Sequence, residues 1–147
     1  MALTDEEVVG LRRYLMDGGF LMVDDFWGER QWEQVASEFR RVFPGRTPLD
    51  LPLDHEIFTT PYPVTTKPML PNISNAARGL DFGEQGATEA YYRAILDDTG
   101  RVMVLLCHNT DFGDAWEWSL SEEYPREIIE EQALPLSLNI AVYALTH

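Results

Sequence analysis

Between two stretches of helical spacing the chain runs through Phe20, Leu21, Met22 and Val23, four apolar residues in a row, and then straight into the adjacent carboxylates Asp24 and Asp25. A strand turns its side chains alternately to its two faces, so such a run has to be covered from above and below, as in a sheet between helix layers. The stretch before it opens on Thr4 with Glu7 three residues later, a capping box, and Leu3 and Val8 are spaced for a hydrophobic staple. Val8, Leu11 and Leu15 then share one helical face, and Gly18 and Gly19 supply the left-handed residue that closes the helix. The stretch after it, from about Glu29 to Val42, carries Trp32, Val35, Ala36 and Phe39 as a buried stripe and stops at Pro44 and Gly45. Helix, strand, helix is an α/β rhythm. With 147 residues, 45% of them hydrophobic and 12% aromatic, the chain is expected to form a single packed domain over residues 1–147.

From Thr47 to about Glu89 the periodicity is lost and most of the nine prolines occur, which predicts long loops of the kind that serve as lids or binding surfaces. Within them Asp54 is expected to cap a short turn at His55, with Ile57 and Phe58 anchoring the loop to the body. Tyr91 to Leu96, the turn residues Asp97 to Gly100, and Arg101 to Cys107 predict an antiparallel hairpin. The tail from Pro125 to about Leu145 has helical spacing that Pro135 should break or kink.

Eleven basic against twenty-five acidic side chains leave a net charge of −14, which repels phosphate backbones and anionic lipid, so nucleic acid is not an expected partner. No apolar run approaches a membrane span, and the charged N-terminus lacks the pattern of a secretory signal. Cys107 is the single cysteine, which excludes an internal disulfide and fits a reducing compartment, although a periplasmic location after removal of a signal fits equally.

The stretches LTDEEVVGLRRYLMDGGFLMVDDFWG, DHEIF, DDTGRVMVLLCHNTDFGDAWEW and LNIAVYALTH together resemble the bacterial family of the domain of unknown function 4159. Their order is also similar to that of the class I glutamine amidotransferase-like and trehalose-utilisation-like proteins. The resemblance implies a flavodoxin-like three-layer sandwich with a C-terminal hairpin and helix, and fold more than activity. Members of the family usually carry an upstream segment with the opening strands, so the sheet is expected to be cut short, with residues 20–23 at an uncovered edge that invites a protein partner or a second copy. An amidotransferase places its cysteine on the strand-to-helix turn, where this chain has Asp24 and Asp25. Cys107 does not replace it, because His108 is the next residue and the two point to opposite faces of a strand.

In open α/β sheets ligands bind beyond the carboxyl ends of strands, and Asp24, Asp25, His108, Asn109 and Asp111 all follow strands closely. If the two strand ends converge, Asp24, Asp25 and His108 form a catalytic candidate that divides acid and base roles or holds a divalent cation. The plainer role for either aspartate is to cap the helix near Glu29 or to bind turn amides. Trp27, Asn109, Asp111 and Trp116 are candidate ligand contacts, the indoles as a platform for a sugar ring, against the plainer reading of Trp27, Trp116 and Trp118 as core anchors. Asp111, Asp114 and Glu117 lack the pattern of a calcium loop and are expected in a solvated acidic loop. The expected function is a binding or assembly module without the amidotransferase nucleophile and without a cofactor. The alternative is a metal-assisted or acid/base hydrolase of a carbohydrate or small amide.

Overall fold

A computed structural model describes residues 1–80 and 83–147. Positions 81 and 82, inside the expected long loop, lie outside the described residues. Four strands form one mixed sheet in the order β1-β4-β3-β2, from Leu21–Phe26 (β1), Leu49–Asp50 (β2), Tyr91–Leu96 (β3) and Val102–His108 (β4). β1 and β4 run parallel, with Leu21 opposite Val104 and Val23 opposite Leu106, while β3 is antiparallel to both β4 and β2. All seven residues of β4 are buried, as a central strand covered on both faces requires. β1 lies at the sheet edge, and Leu21, Met22 and Val23 are only half-buried.

Helices cover both faces. Asp5–Met16 (α1) and Gly28–Val42 (α2) pack Val8, Leu15, Val35 and Phe39 against Val104 and Leu106. On the other face Glu56–Thr59 (α3), Ile73–Ala76 (α4), Phe112–Glu117 (α5), Arg126–Ile128 (α6) and Leu134–Thr146 (α7) frame a second core around Tyr92, Leu105 and Cys107. The capping box at α1 forms as read: Glu7 N–H donates to Thr4 Oγ1 at 3.3 Å and Thr4 N–H to the Glu7 carboxylate at 2.7 Å. The hairpin also forms, its turn held by Asp97, whose carboxylate accepts from the Thr99 N–H at 2.8 Å and the Arg101 N–H at 3.0 Å.

Two local expectations are corrected and a third is met. Neither Asp24 nor Asp25 caps α2, whose N-cap is Trp27, and the Trp27 N–H instead donates to Gln31 Oε1 at 2.8 Å. His55, not Asp54, caps α3, its Nδ1 accepting from the Ile57 N–H. The break expected at Pro135 is present: the tail divides into α6 and α7, and Pro135 sits in the first turn of α7. The irregularity lies just upstream, in a π-helical turn over Ile129–Ala133.

Guanidinium groups tie the amino ends of the parallel strands to the helices around them. Arg101 donates to the carbonyls of Leu15 (2.8 Å) and Gly19 (2.9 Å) at the end of α1. Arg12 donates to those of Val42 and Arg41 at the end of α2, and Arg46 to Leu96 at 2.7 Å beside the hairpin turn. Cations near helix C-termini satisfy carbonyls that the helix leaves open. Among the described residues no helix is long and apolar enough to cross a membrane.

Candidate functional site

Because β1 and β4 are parallel, both end at one edge, and there the pairing slips. Val23 faces Leu106 but Phe26 faces His108, so β1 fits one extra residue. Asp25 takes the slip in a left-handed conformation at φ 54°, and Asn109 across from it has φ 63°. Aspartate and asparagine adopt this region more readily than other non-glycine residues. The double turn is closed by its own bonds: Asp25 N–H to Thr110 O at 3.2 Å and Asn109 N–H to Phe26 O at 2.9 Å. The Asn109 side chain accepts from the Gly28 N–H at 2.9 Å and donates to Glu89 O at 3.0 Å, and Asp25 Oδ1 accepts from Trp27 Nε1–H at 2.9 Å. Asp25 and Asn109 are therefore engaged in shaping the chain at this edge.

Asp24 points the other way from Val23, toward α5. Its Oδ2 accepts the N–H groups of Phe112 (2.6 Å) and Gly113 (3.0 Å), while its buried Oδ1 has no hydrogen-bond partner among the described residues. Burial pushes this carboxyl up to about 7, the nearby Asp111 adds to the rise, and the N–H groups of Gly113 and Phe112 oppose it. Asp111 is itself buried and caps α5, Oδ1 accepting from the Asp114 N–H at 2.7 Å, which corrects the expected solvated loop. Burial raises Asp111 to about 7 as well, with Asp25, Asp114 and Glu84 adding to the rise.

His108 lies on the opposite face, the side of α2. Its Nδ1 is 3.1 Å from Arg93 Nη1 and its Nε2 is 3.2 Å from Gly28 O. A guanidinium only donates, so this network assigns the neutral tautomer, with Nδ1 accepting and Nε2–H donating. The imidazole stacks on Phe26 (centroids 5.2 Å), Trp32 (5.5 Å) and Tyr91 (5.6 Å), and the Arg93 guanidinium sits over both Trp32 (4.1 Å) and Tyr91 (4.5 Å). Burial, reinforced by the Arg93 charge, lowers the His108 pKa against the bond to the Gly28 carbonyl. Asp24 and His108 thus share an edge but are separated by the sheet. Cys107, fully buried on the Asp24 side, has its thiol pushed up by that burial and by Asp24.

The tryptophans do not act as a set. Trp27 is sealed, and a Cβ at Gly83 would run into its ring. Trp116 is 48% exposed and bonds Ser137 Oγ on α7 at 2.7 Å. Sequence reasoning missed Tyr91 and Arg93, although their alternation along β3 places both on one face; it is the register of Tyr91 opposite His108 that brings them to the imidazole. Thr110, whose Oγ1 accepts the Leu70 N–H at 2.9 Å, had no such signal. A cavity of about 250 Å³ opens beside β1, lined by Val23, Asp24, Asp25, Arg30, Gln31 and Gln34 among others. Among the described residues no group of three or more histidine, cysteine, aspartate or glutamate side chains is placed to hold a metal ion.

No curated protein and no solved structure matches the chain. The model of one family, described as a domain of unknown function (DUF4159), matches residues 1–145, and the chain belongs to that family.

Proposed function

We propose that the chain is a binding and assembly module rather than an enzyme, built on a flavodoxin-like, amidotransferase-like frame that has lost its nucleophile. The observation that carries this reading is the state of Cys107. A catalytic thiol needs access and a lowered pKa, whereas this one is fully buried and raised. His108 faces the other layer with both ring nitrogens engaged, and Asp25 and Asn109 hold the turn. β1 ends the sheet with no further strand paired to it among the described residues, and an unpaired strand edge is a template for protein association. The partner class is protein, since the charge of −14 opposes nucleic acid.

The test is turnover of a panel of amide, ester and glycoside substrates by wild type and Asp24→Asn. The expected result is no turnover above buffer for either. Turnover that disappears in Asp24→Asn would establish the second reading, an acid/base hydrolase. That reading is favoured by two observations: Asp24 and Asp111 are both raised to about 7, where a carboxyl exchanges protons near neutral pH, and the buried Asp24 Oδ1 has no hydrogen-bond partner among the described residues. It would use Asp24 with Asp111, on one face, in place of Asp24 with His108. In its metal-assisted form, calorimetric titration with zinc, manganese or calcium would give heat that is lost in an Asp24→Asn, Asp25→Asn double variant.

A further inference from the structure

Arg93 is held in place by its neighbours yet has no counterion. Its guanidinium lies over the Trp32 ring at 4.1 Å and the Tyr91 ring at 4.5 Å, and Nη1 donates to His108 Nδ1 at 3.1 Å. His108 is fixed in turn through Nε2 to the Gly28 carbonyl and by its stack on Phe26, so the guanidinium is positioned before anything binds. Its Nε and Nη2 share the edge turned from the imidazole, and their N–H groups have no acceptor among the described residues. Most of the eleven basic side chains pair with a carboxylate. Arg12 donates to backbone carbonyls instead, and Arg30 and Arg78 are exposed. Arg93 is half-buried, and a cation drawn partly out of water without an anion loses solvation that aromatic faces return only in part. Two acids of the same neighbourhood are engaged elsewhere. Asp50, opposite Arg93 in the register of β2 with β3, binds Lys67 at 3.1 Å, and Glu89 accepts the Tyr91 hydroxyl at 3.0 Å.

We infer that Arg93 anchors a ligand site on the α2 face of β3 and β4, and that its ligand is a monocarboxylate attached to a flat apolar body. The open edge of the guanidinium offers two parallel donors, the fork that matches the two oxygens of a carboxylate. Beside that fork the half-buried rings of Trp32 and Tyr91 give a flat apolar body surfaces to pack on. The net charge of −14 repels a dianion more strongly than a monoanion, which sets phosphate esters aside. The place also suits a ligand, because Tyr91 pairs with His108 at the carboxyl end of β4, and ligands of open α/β sheets gather beyond such ends. The inference goes beyond the assembly reading, which stands on the edge of β1.

The test is proton–nitrogen correlation NMR of the full chain, titrated with sodium benzoate at constant ionic strength, with benzamide and sodium chloride as controls. The Arg93 Nε–H and Trp32 Nε1–H resonances should move and saturate with benzoate in the millimolar range, and stay in place with benzamide or chloride. Arg93→Gln should abolish the shift at Trp32, and Arg93→Lys, which keeps the charge but not the fork, should weaken binding about tenfold. N-acetylphenylalanine distinguishes the source of the carboxylate: binding tighter than that of benzoate assigns the terminus of a chain, and weaker binding assigns a free acid. Saturation by neither acid, shifts that benzamide reproduces, or a Trp32 shift that persists in Arg93→Gln would each overturn the proposal. The wild-type titrations decide it even where a variant does not fold. The turnover assay does not involve Arg93 and decides the assembly reading separately.

Discussion

Asp24 is the residue whose energetics are least comfortable. Unfolded, its carboxyl loses a proton near 3.8, and folded near 7. Between those values the folded state holds more protons, so the contribution is full below about pH 4 and is lost as pH rises toward 7, on the order of a few kcal/mol in all. Asp24→Asn removes the titration. In urea denaturation its stability relative to wild type should therefore climb between pH 4.5 and pH 7.5, and a flat difference would contradict the burial argument. His108 acts in the opposite sense: with a lowered folded pKa it stays neutral, and stability is lost as pH falls below 6.5 through that folded value. The residues at this edge were legible from sequence because strand ends announce themselves, and Asp24 and His108 do share it. Their separation by the sheet was not, since a face depends on register, and the extra residue at Asp25 has no marker that distinguishes a bulge from a strand end.

Among the elements, α5 shows how a very short helix is stabilised. It has six residues, and three of its early N–H groups end on carboxylates: Phe112 and Gly113 on Asp24, Asp114 on Asp111. Acceptors at a helix N-terminus satisfy donors that the helix cannot, and an N-cap aspartate contributes about 1 kcal/mol. Asp111→Ala should cost about that much in chemical denaturation and, by removing a neighbouring negative charge, should also lower the Asp24 pKa. Elements with local signals were read well: α1 from Thr4 and Glu7, α2 from its stripe, the hairpin from alternation and the Asp97–Gly100 turn. The short α3 and α5 escaped or were misassigned because neighbouring polar residues compete for the same cap, and which one wins is set by packing. Asp54 lost to His55, which rests its ring against Tyr143.

At the scale of the molecule, the apolar run at residues 20–23 pointed to a parallel sheet between helix layers; helices do lie on both faces, but the sheet is mixed and β1 takes an edge position with Leu21, Met22 and Val23 only half-buried. The parallel contact between β1 and β4 joins residues about eighty positions apart, beyond the reach of any local pattern.

The arginine ties described above sit at one pole: Arg12, Arg46 and Arg101 join the ends of α1 and α2, Gly19 and the hairpin turn. At the other pole two raised carboxyls strain against burial. Such a body is clasped at its arginine end, so the backbone amides around Leu15 and Val102 should be among the last to exchange with deuterium. Arg101→Met should hasten them, as a book whose spine has been cut falls open from that side.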